Sequence, residues 1–292
     1  MNDYRFEQLI RDWLRPIEIC CRRIILHTKT PCSPSVSMIR GVWGRALHHL
    51  DIDAYHTVFQ GTGAEHLRQP SYMIRSSENG FRGNQTTFHL NWITWGKAIF
   101  HDRTLCRAWD VASGMGVCKE RIPFAVEMSN LDDERFSLAD VSWPIPGTPA
   151  TSPFRLSFPV PLRIVRKNHA IMAPTLSNLT EAAIVRLTLV RHLIEGDRDS
   201  KSSPQGTWPD FAEAAIALST TIPSTLWRGR EQNLIRYSSA QQDEVKMKGT
   251  TGYIDFPEGV GPLWPLFAAA RWLHLGKGTS IGMGQPGIVT IH

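Results

Sequence analysis

The sequence predicts an α+β fold in which two similar β-α-β-β-α-β units follow one another along the 292 residues. The first observation is that the same order of strand-like and helix-like segments occurs in each half. The second is the stretch 143–153, where four prolines in eleven residues exclude a regular element near the midpoint of the chain. The third is a Gly-Met-Gly triplet that follows the second helix of each half, at 114–116 and 282–284. Together they indicate a duplicated unit.

The individual elements follow from apolar spacing, which is helical in some segments and alternating or β-rich in others. In the first half we expect a strand at 17–27, a helix at 38–50, strands at 71–76 and 86–95, a helix at 98–113 and a strand at 121–128. In the second half we expect a strand at 154–165, a helix at 179–194, strands at 226–238 and 245–256, a helix at 262–275 and a strand at 287–291.

This element order is that of the ferredoxin-like, split βαβ topology, whose four-stranded sheet is also the framework of RNA-binding RRM domains. We therefore expect two tandem ferredoxin-like domains, residues 1–145 and 146–292. The second domain carries an insertion at about 196–224, polar at first and then helical at 210–218.

Composition and charge narrow the classes of function. Hydrophobic residues make up 42% of the chain, enough for a packed core, and the net charge of +5 favours a polyanionic partner only mildly. Arginine supplies 24 of the 32 basic residues, which suits phosphate binding, although codon bias is an alternative explanation. No apolar run reaches the roughly 18 to 20 residues of a bilayer span, and the five cysteines form no CxxC pair. We expect a cytoplasmic protein with reduced thiols and no membrane contact.

The segment 276–284 has four glycines and lies between the last predicted helix and the last strand. Glycine allows close backbone approach, so the amides of such a loop can face an anion. The segment fits neither a P-loop nor a dinucleotide fingerprint, because there the glycines follow a strand and open a helix. A purely structural loop is the alternative. The expected phosphate contacts are Gly276, Lys277, Gly278, Thr279, Ser280, Gly282 and Gly284.

The predicted helix 38–50 has a second face of interest, opposite its apolar side, where Gly41, Gly44 and His48 lie. Each glycine costs about 1 kcal/mol in a helix relative to alanine, so two on one face suggest close approach of another chain. RNA against this face is one interpretation, and an ordinary exposed histidine is the other. The polar residues beside the face are Arg40, Arg45 and His49.

The predicted strand pair 226–238 and 245–256 is rich in basic, hydroxyl and amide side chains, with a tyrosine on each strand. Cations for phosphates and rings for bases suit a nucleic acid, although a solvated hairpin has a similar composition. The expected RNA contacts are Arg236, Ser238, Gln241, Lys246 and Lys248.

Signatures of metal-dependent or serine-nucleophile enzymes are lacking in the sequence. It contains no HExxH motif, no acidic cluster with metal-ligand spacing and no GxSxG nucleophile elbow. We therefore expect no metal and no other cofactor.

At the residues above, a family resemblance emerges. Residues 272–284 resemble the C-terminal glycine-rich loop of CRISPR-associated RAMP proteins, and more narrowly that of the Cas6 family of repeat-RNA-processing endoribonucleases. Residues 236–242 and 249–256 resemble the family's hairpin before the last helix. Residues 40–48 resemble its first helix, and 114–124 the end of its first domain. The likeness is most specific at the C-terminus.

The resemblance implies metal-independent cleavage of precursor CRISPR RNA within its repeats, by attack of a 2′-OH on the adjacent phosphate. The expected partners are the repeat RNA and the product crRNA, on which the enzyme can stay bound, and other Cas subunits of an effector complex. Family members often carry a catalytic histidine in or just after the first helix. His48 matches that place best and His49 next, with Arg45 and Tyr55 assisting.

Two alternatives to this function remain at the level of sequence. One is a non-catalytic RAMP subunit that binds or caps crRNA. The other is an unrelated protein with a duplicated ferredoxin-like fold.

Overall fold

The computed structural model describes residues 2–61, 69–76, 83–128, 135–195, 208–238 and 243–291. It describes the side chains of all these residues except 235–238 and 243–245. The elements of its first half are α1 (Asp3–Leu14), β1 (Glu18–Cys32), α2 (Val36–Leu50), α3 (Ile52–Ala54), a π-helical turn (Tyr55–Gln60), β2 (Tyr72–Ser76), β3 (Gln85–Trp95), a 3₁₀ helix (Gly96–His101), α4 (Asp102–Met115), β4 (Phe124–Met128) and β5 (Arg135–Ser137).

The second half follows the proline-rich stretch. Its elements are β6 (Phe154–Leu162), β7 (Val165–Arg166), β8 (His169–Ala170), α5 (Leu176–Glu195), α6 (Ala212–Ser219), β9 (Arg228–Ser238), β10 (Asp243–Phe256), a 3₁₀ helix (Gly261–Leu263), α7 (Trp264–Leu273), a second 3₁₀ helix (Thr279–Ile281) and β11 (Gly287–Thr290). None of the helices in the described ranges combines the length and hydropathy that a bilayer crossing requires.

Within the described residues, each half forms one large antiparallel sheet, and β7 pairs with β8 in a separate two-stranded sheet. The first large sheet has the strand order β2-β3-β1-β4, with the short β5 also paired to β1, and the second has the order β11-β6-β10-β9. The first sheet read from its other edge is β4-β1-β3-β2, and the second is β11-β6-β10-β9. If the four strands of each half are numbered 1 to 4 in chain order, both sheets have the order 4-1-3-2. This is the ferredoxin-like order. The predicted α+β class with tandem ferredoxin-like units is therefore confirmed. The boundary between residues 145 and 146 stays a prediction, and 196–207 of the predicted insertion lie outside the described residues.

The two sheets share one buried core. Because alternate residues of a strand point to opposite faces, the first sheet buries Ile24 and Trp92 on the side of α2 and α4, while Cys21, Met73 and Trp95 point the other way. The latter three belong to the same buried cluster as the second sheet and its helices. Members of that cluster from the second half include Phe158, Leu187 and Leu273.

Helix α1 is an element that the sequence predictions missed. The Asn2 side chain caps it by accepting a hydrogen bond from the Arg5 amide at 3.0 Å. Phe6, Ile10 and Leu14 recur every four residues and are buried, so the helix packs one apolar stripe into the shared core. This spacing is present in the sequence, but the charged residues between its members obscured it.

Other predicted boundaries change where turns intervene. The helix predicted at 98–113 is a 3₁₀ helix followed by α4. The strand predicted at 121–128 begins at Phe124, because Cys118 and Arg121 adopt positive φ of 64° and 52° in the preceding turn. The strand predicted at 154–165 is interrupted after Leu162.

Truncating Met73 tests the shared core. Met73 is fully buried, so Met73→Ala removes packing and leaves a cavity, and we expect the free energy of unfolding to fall by about 2–5 kcal/mol. Urea denaturation measures this, and a single transition is expected because the residue joins both halves. Met38→Ala is the control, since Met38 is 49% exposed, and its effect should stay within about 0.5 kcal/mol. Equal losses of unfolding free energy in Met73→Ala and Met38→Ala contradict the assignment of Met73 to the shared core.

Candidate nucleic-acid interface

Helix α2 presents the predicted catalytic residues at its C-terminal end. The Ser35 hydroxyl caps its N-terminus by accepting from the Met38 amide at 3.1 Å. Asp51 ends the helix and accepts from the Ala54 amide at 2.9 Å, which starts α3. The buried face consists of Ile39, Trp43, Gly44, Ala46 and Leu47. The side chains left in solvent near the C-terminal end are Arg45, His48 and His49.

The structure brings three of the four predicted catalytic residues into contact. The His48 ring lies edge-on to the Tyr55 ring, with centroids 4.9 Å apart, and its centroid is 6.0 Å from that of His49. The Tyr55 ring in turn stacks on Phe59 at 4.9 Å, which holds its orientation. Arg45 lies on the same exposed side, three residues before His48 and so within one helical turn.

Gly44 corrects the expectation of an open glycine face. A Cβ at Gly44 would collide with the Phe59 ring, so the missing side chain admits an aromatic group of this same chain and not a second molecule. Gly41 is exposed and has open space beside it. The Arg40 guanidinium lies 4.1 Å over the Phe59 ring and is half-buried. Its predicted contact with phosphate stays a prediction.

The glycine-rich loop, residues 276–284, joins α7 to β11 as predicted. Its four glycines adopt positive φ between 69° and 91°. At Gly276 a Cβ would collide with the Arg163 carbonyl oxygen, so this position requires glycine for a close approach as well as for its backbone angle. Of the predicted side-chain contacts in the loop, Lys277 is exposed, Ser280 is half-buried and Thr279 is buried.

Much of the loop's backbone is already occupied, which corrects the expectation that its amides face an anion. The Lys277 amide donates to the Arg163 carbonyl at 2.7 Å, and the Gly284 amide to the Pro161 carbonyl at 2.9 Å. Three further amides donate to carbonyls within the loop, those of Ile281, Gly282 and Met283. These five groups stabilise the loop and are not available to a phosphate.

Two buried arginines fix the point where the loop leaves α7. Arg75 in β2 donates to the Arg271 carbonyl at 3.1 Å, and Arg186 in α5 donates to the Leu273 carbonyl at 3.0 Å. Both carbonyls belong to the last turn of α7, where a positive charge is favoured. Burial lowers the pKa of each guanidinium to about 10, so both stay charged at neutral pH.

His274, the residue directly after α7, is buried beside these arginines. Its Nδ1 lies 3.1 Å from the Met283 carbonyl oxygen, while its Nε2 is buried with no partner in the described structure. Burial, and then the charges of Arg75 and Arg186, hold the pKa of His274 well below its usual range. The ring is therefore neutral and acts structurally.

The loop also contacts the first half directly. A Cβ at Gly282 would lie 2.9 Å from the Val36 Cβ, so glycine permits the loop to approach the first turn of α2. The Ser76 hydroxyl donates to the Gln285 side-chain oxygen at 3.1 Å, and the Gln285 side-chain nitrogen donates to the Ser76 backbone carbonyl at 3.0 Å. Sequence reasoning missed Arg75, Arg186 and Ser76. The signal that could have found the two arginines is a charged residue at a position where the strand or helix pattern calls for a buried apolar residue.

The loop and the histidine cluster lie at opposite ends of α2. Gly282 contacts Val36 at the first turn, whereas His48 lies twelve residues, or about 18 Å, further along the helix axis. The structure thus places Arg40, one turn from Val36, nearer to the loop than His48. A ligand that engages both ends must be extended.

The β9–β10 hairpin lies beside the glycine-rich loop. A Cβ at Gly278 would lie 3.1 Å from the Met247 Cε. Lys246 is exposed, and the Lys248 Nζ forms an ion pair with Glu231 at 2.8 Å. The side chains of Arg236 and Ser238 lie outside the described residues, as does the whole of Gln241.

Metal ligands are not clustered in the described part of the chain. No group of three or more His, Cys, Asp or Glu side chains within those ranges could hold a metal ion.

Part of the sequence matches the model of a known family. The model of the family described as CRISPR-associated endoribonuclease Cas6 matches residues 156–286, which contain β6 to α7 and the glycine-rich loop. The second half of the chain is similar to the Cas6 family. The sequence matches none of the curated proteins with which it was compared.

Solved Cas6 structures are similar to this chain along almost its whole length. A Cas6 product complex has a TM-score of 0.59 at 12% identity, covering 93% of this chain and 99% of that chain. Thermus thermophilus Cas6 has a TM-score of 0.57 at 12% identity, covering 94% and 99%. A chain of a partial Cas6-RT-Cas1–Cas2 complex has a TM-score of 0.53 at 10% identity, covering 94% of this chain and 47% of that chain. At these identities the likeness shows the fold.

The buried His274 predicts a pH-dependent stability. Its folded pKa lies below that of an unfolded histidine, about 6.5, so stability is complete above that pH and decreases as the pH falls below it. His274→Asn cannot titrate, tolerates the positive φ of 59° and offers an N–H near the Met283 carbonyl. We expect the unfolding free energy of the natural protein to fall more steeply from pH 7 to 5, by up to about 1.4 kcal/mol per pH unit.

Urea denaturation across this pH range measures the difference. The control is His169→Asn, at an exposed position on β8, whose profile should follow that of the natural protein. Parallel profiles for the natural protein and His274→Asn contradict the assignment.

Proposed function

We propose that this protein belongs to the Cas6 family and cleaves precursor CRISPR RNA within its repeats by metal-independent attack of a 2′-OH on the adjacent phosphate. The observation that carries the proposal is the exposed His48 ring in contact with Tyr55. It occurs in a chain whose C-terminal half matches a family of CRISPR-associated endoribonucleases. Imidazole and phenol groups are both suited to proton transfer.

The proposed reaction needs a base, an acid and a cation. The 2′-oxygen loses its proton and bonds to phosphorus while the bond from phosphorus to the 5′-oxygen breaks, leaving a 2′,3′-cyclic phosphate and a 5′-OH. His48 exchanges a proton with one of the two oxygens, because an imidazole accepts and donates near neutral pH. Tyr55 or His49 serves the other oxygen, and Arg45 stabilises the negative charge of the phosphorane.

Binding of the RNA is proposed along the rest of α2 and the loop. Arg40, Lys246 and Lys277 supply positive charge on the path from the histidine cluster to the hairpin. An extended ligand suits this layout, since the two ends of α2 lie about 18 Å apart. The product crRNA can stay bound through the same contacts after cleavage.

The proposed partners are repeat RNA, crRNA and other Cas subunits. Similar Cas6 chains occur in a product complex and in a Cas6-RT-Cas1–Cas2 complex, which supports both kinds of partner. No disulfide joins any of the five cysteines, all of which lie in the described ranges, and this fits a proposed place in the reducing cytoplasm.

Cleavage of the cognate repeat RNA in EDTA tests the proposal. We expect the natural protein to cleave in EDTA and to leave a 2′,3′-cyclic phosphate. His48→Ala should reduce the cleavage rate by about a hundredfold or more, the usual effect of losing a proton-transfer group. RNA affinity, measured by gel shift, should change less than about twofold, because the imidazole acts on the reacting atoms.

The matched control is His169→Ala, which removes an exposed histidine on β8 and should leave the rate unchanged. Full activity of His48→Ala overturns the assignment to His48 and moves it to His49. RNA binding by the natural protein without cleavage favours the non-catalytic RAMP subunit instead.

Lys277 is expected to bind a phosphate. Lys277→Ala should weaken RNA binding and reduce the slope of log affinity against log salt concentration by about 0.7 to 1, because one fewer counterion is released. Affinities measured from 50 to 300 mM salt give the slope. Lys119→Ala, an exposed lysine in the turn before β4, is the control. An unchanged slope in Lys277→Ala indicates that the loop is structural.

A further inference from the structure

A cavity of about 510 Å³ lies between α5, the segment after β6 and the glycine-rich loop. Its volume is in the range of small-molecule sites, which is about 300–1,000 Å³. It opens on the side of the loop that faces α5, and none of the predicted catalytic residues lines it. The cavity is therefore separate from the histidine cluster on α2.

Positive charge surrounds the cavity. Arg163, Arg166 and Lys277 line it and are half-buried or exposed. Arg186 lines it from α5, fully buried and charged, and it donates to the Leu273 carbonyl and to the Gln69 side-chain oxygen at 3.0 and 3.5 Å. No carboxylate in the described structure pairs with Arg186. An uncompensated buried cation attracts an anion, so a phosphate at the rim is favoured.

The wall of the cavity is apolar. Ala182, Val185 and Leu189 form one stripe of α5 that faces it, and Ile171 lines it as well. Val185 is 41% exposed although it is aliphatic. A flat apolar group against this stripe would remove that surface from water, which favours the face of a nucleobase over a bare phosphate.

One carboxylate gives the cavity its selectivity. Glu181 lines it and is half-buried, and it forms no hydrogen bond or ion pair with any residue in the described ranges. A carboxylate repels phosphate but accepts hydrogen bonds from the N–H groups of a base edge. Guanine offers two such donors side by side on its Watson–Crick edge, which match the two carboxylate oxygens.

From these features we infer that the cavity binds a single unpaired nucleotide of the RNA, with guanine preferred. The base lies against the α5 stripe with its edge on Glu181, and its phosphate lies among Arg163, Arg166 and Lys277. Single-stranded RNA is commonly recognised through splayed-out bases whose edges are read in this way. The inference rests on the proposed RNA function, because only an RNA ligand links this cavity to the rest of the interface.

Binding of the four 5′-mononucleotides, followed by NMR saturation transfer, tests the cavity on its own. We expect GMP to bind about tenfold more tightly than UMP, the discrimination typical of a bidentate contact. Val185→Trp narrows the cavity and should lower GMP affinity at least tenfold, whereas Val289→Trp, the matched control at a 46% exposed position on β11 outside the cavity lining, should bind GMP as the natural protein does. Glu181→Gln preserves shape and should abolish most of the preference for GMP.

Repeat RNA forms the second arm of the experiment. If the natural protein cleaves the repeat, Val185→Trp should raise the KM at least tenfold with kcat nearly unchanged. Equal affinity for all four nucleotides, or unchanged GMP binding by both Val185→Trp and Glu181→Gln, overturns the inference even if cleavage occurs. Selective GMP binding without any cleavage of repeat RNA supports the cavity and refutes the proposed function. Should Val185→Trp fail to fold, Glu181→Gln alone decides.

Discussion

The interface depends on the hydrogen bonds that two buried arginines, Arg75 and Arg186, donate to backbone carbonyls in the last turn of α7. A buried guanidinium without a carboxylate is costly unless its N–H groups are satisfied. Arg75 and Arg186 satisfy theirs in part at the last turn of α7, where the backbone carbonyls are unpaired and the helix dipole is negative. One arginine comes from each half of the chain. The direction in which the glycine-rich loop leaves the helix is therefore set only when both halves are packed together.

The loop therefore connects the two halves structurally, in addition to the binding role proposed for it. Five of its amides bond within the chain, and Gly282 lacks a side chain where the first turn of α2 approaches. The reciprocal hydrogen bonds between Ser76 and Gln285 close the same contact. What remains for a ligand is carried by side chains such as Lys277, held on a backbone that is already satisfied. Such a backbone costs little further entropy when a ligand binds.

The site is extended, and its parts differ in chemistry. The histidine cluster lies at one end of α2, the loop lies at the other, and the basic cavity opens on the α5 side of the loop. A small substrate could occupy one of these places, whereas a polynucleotide can reach all of them at once. Several weak contacts along one chain add up in affinity, so no single place needs to be strongly binding.

Local pattern determined much of this molecule in advance. The spacing of apolar residues predicts four strands of each sheet, though not the short β5, and with the order of the elements it predicts the ferredoxin-like topology. The helical wheel of residues 38–50 leaves His48 in solvent, as the structure confirms, and the missed α1 follows the same rule. These features depend on neighbours in sequence, which is why the sequence alone determines them.

Tertiary packing decided the rest. Gly44 accommodates Phe59, the loop's amides bond to Arg163 and Pro161, and Arg75 reaches a carbonyl 196 residues away. None of these has a sequence signature, because each pairs groups that only the folded chain brings together. The same holds for the cavity, whose charge and apolar wall come from α5, the segment after β6 and the loop. A sequence shows which side chains are available for binding, but the burial that orients them and leaves Arg186 without a counter-charge arises only when the two sheets share a core.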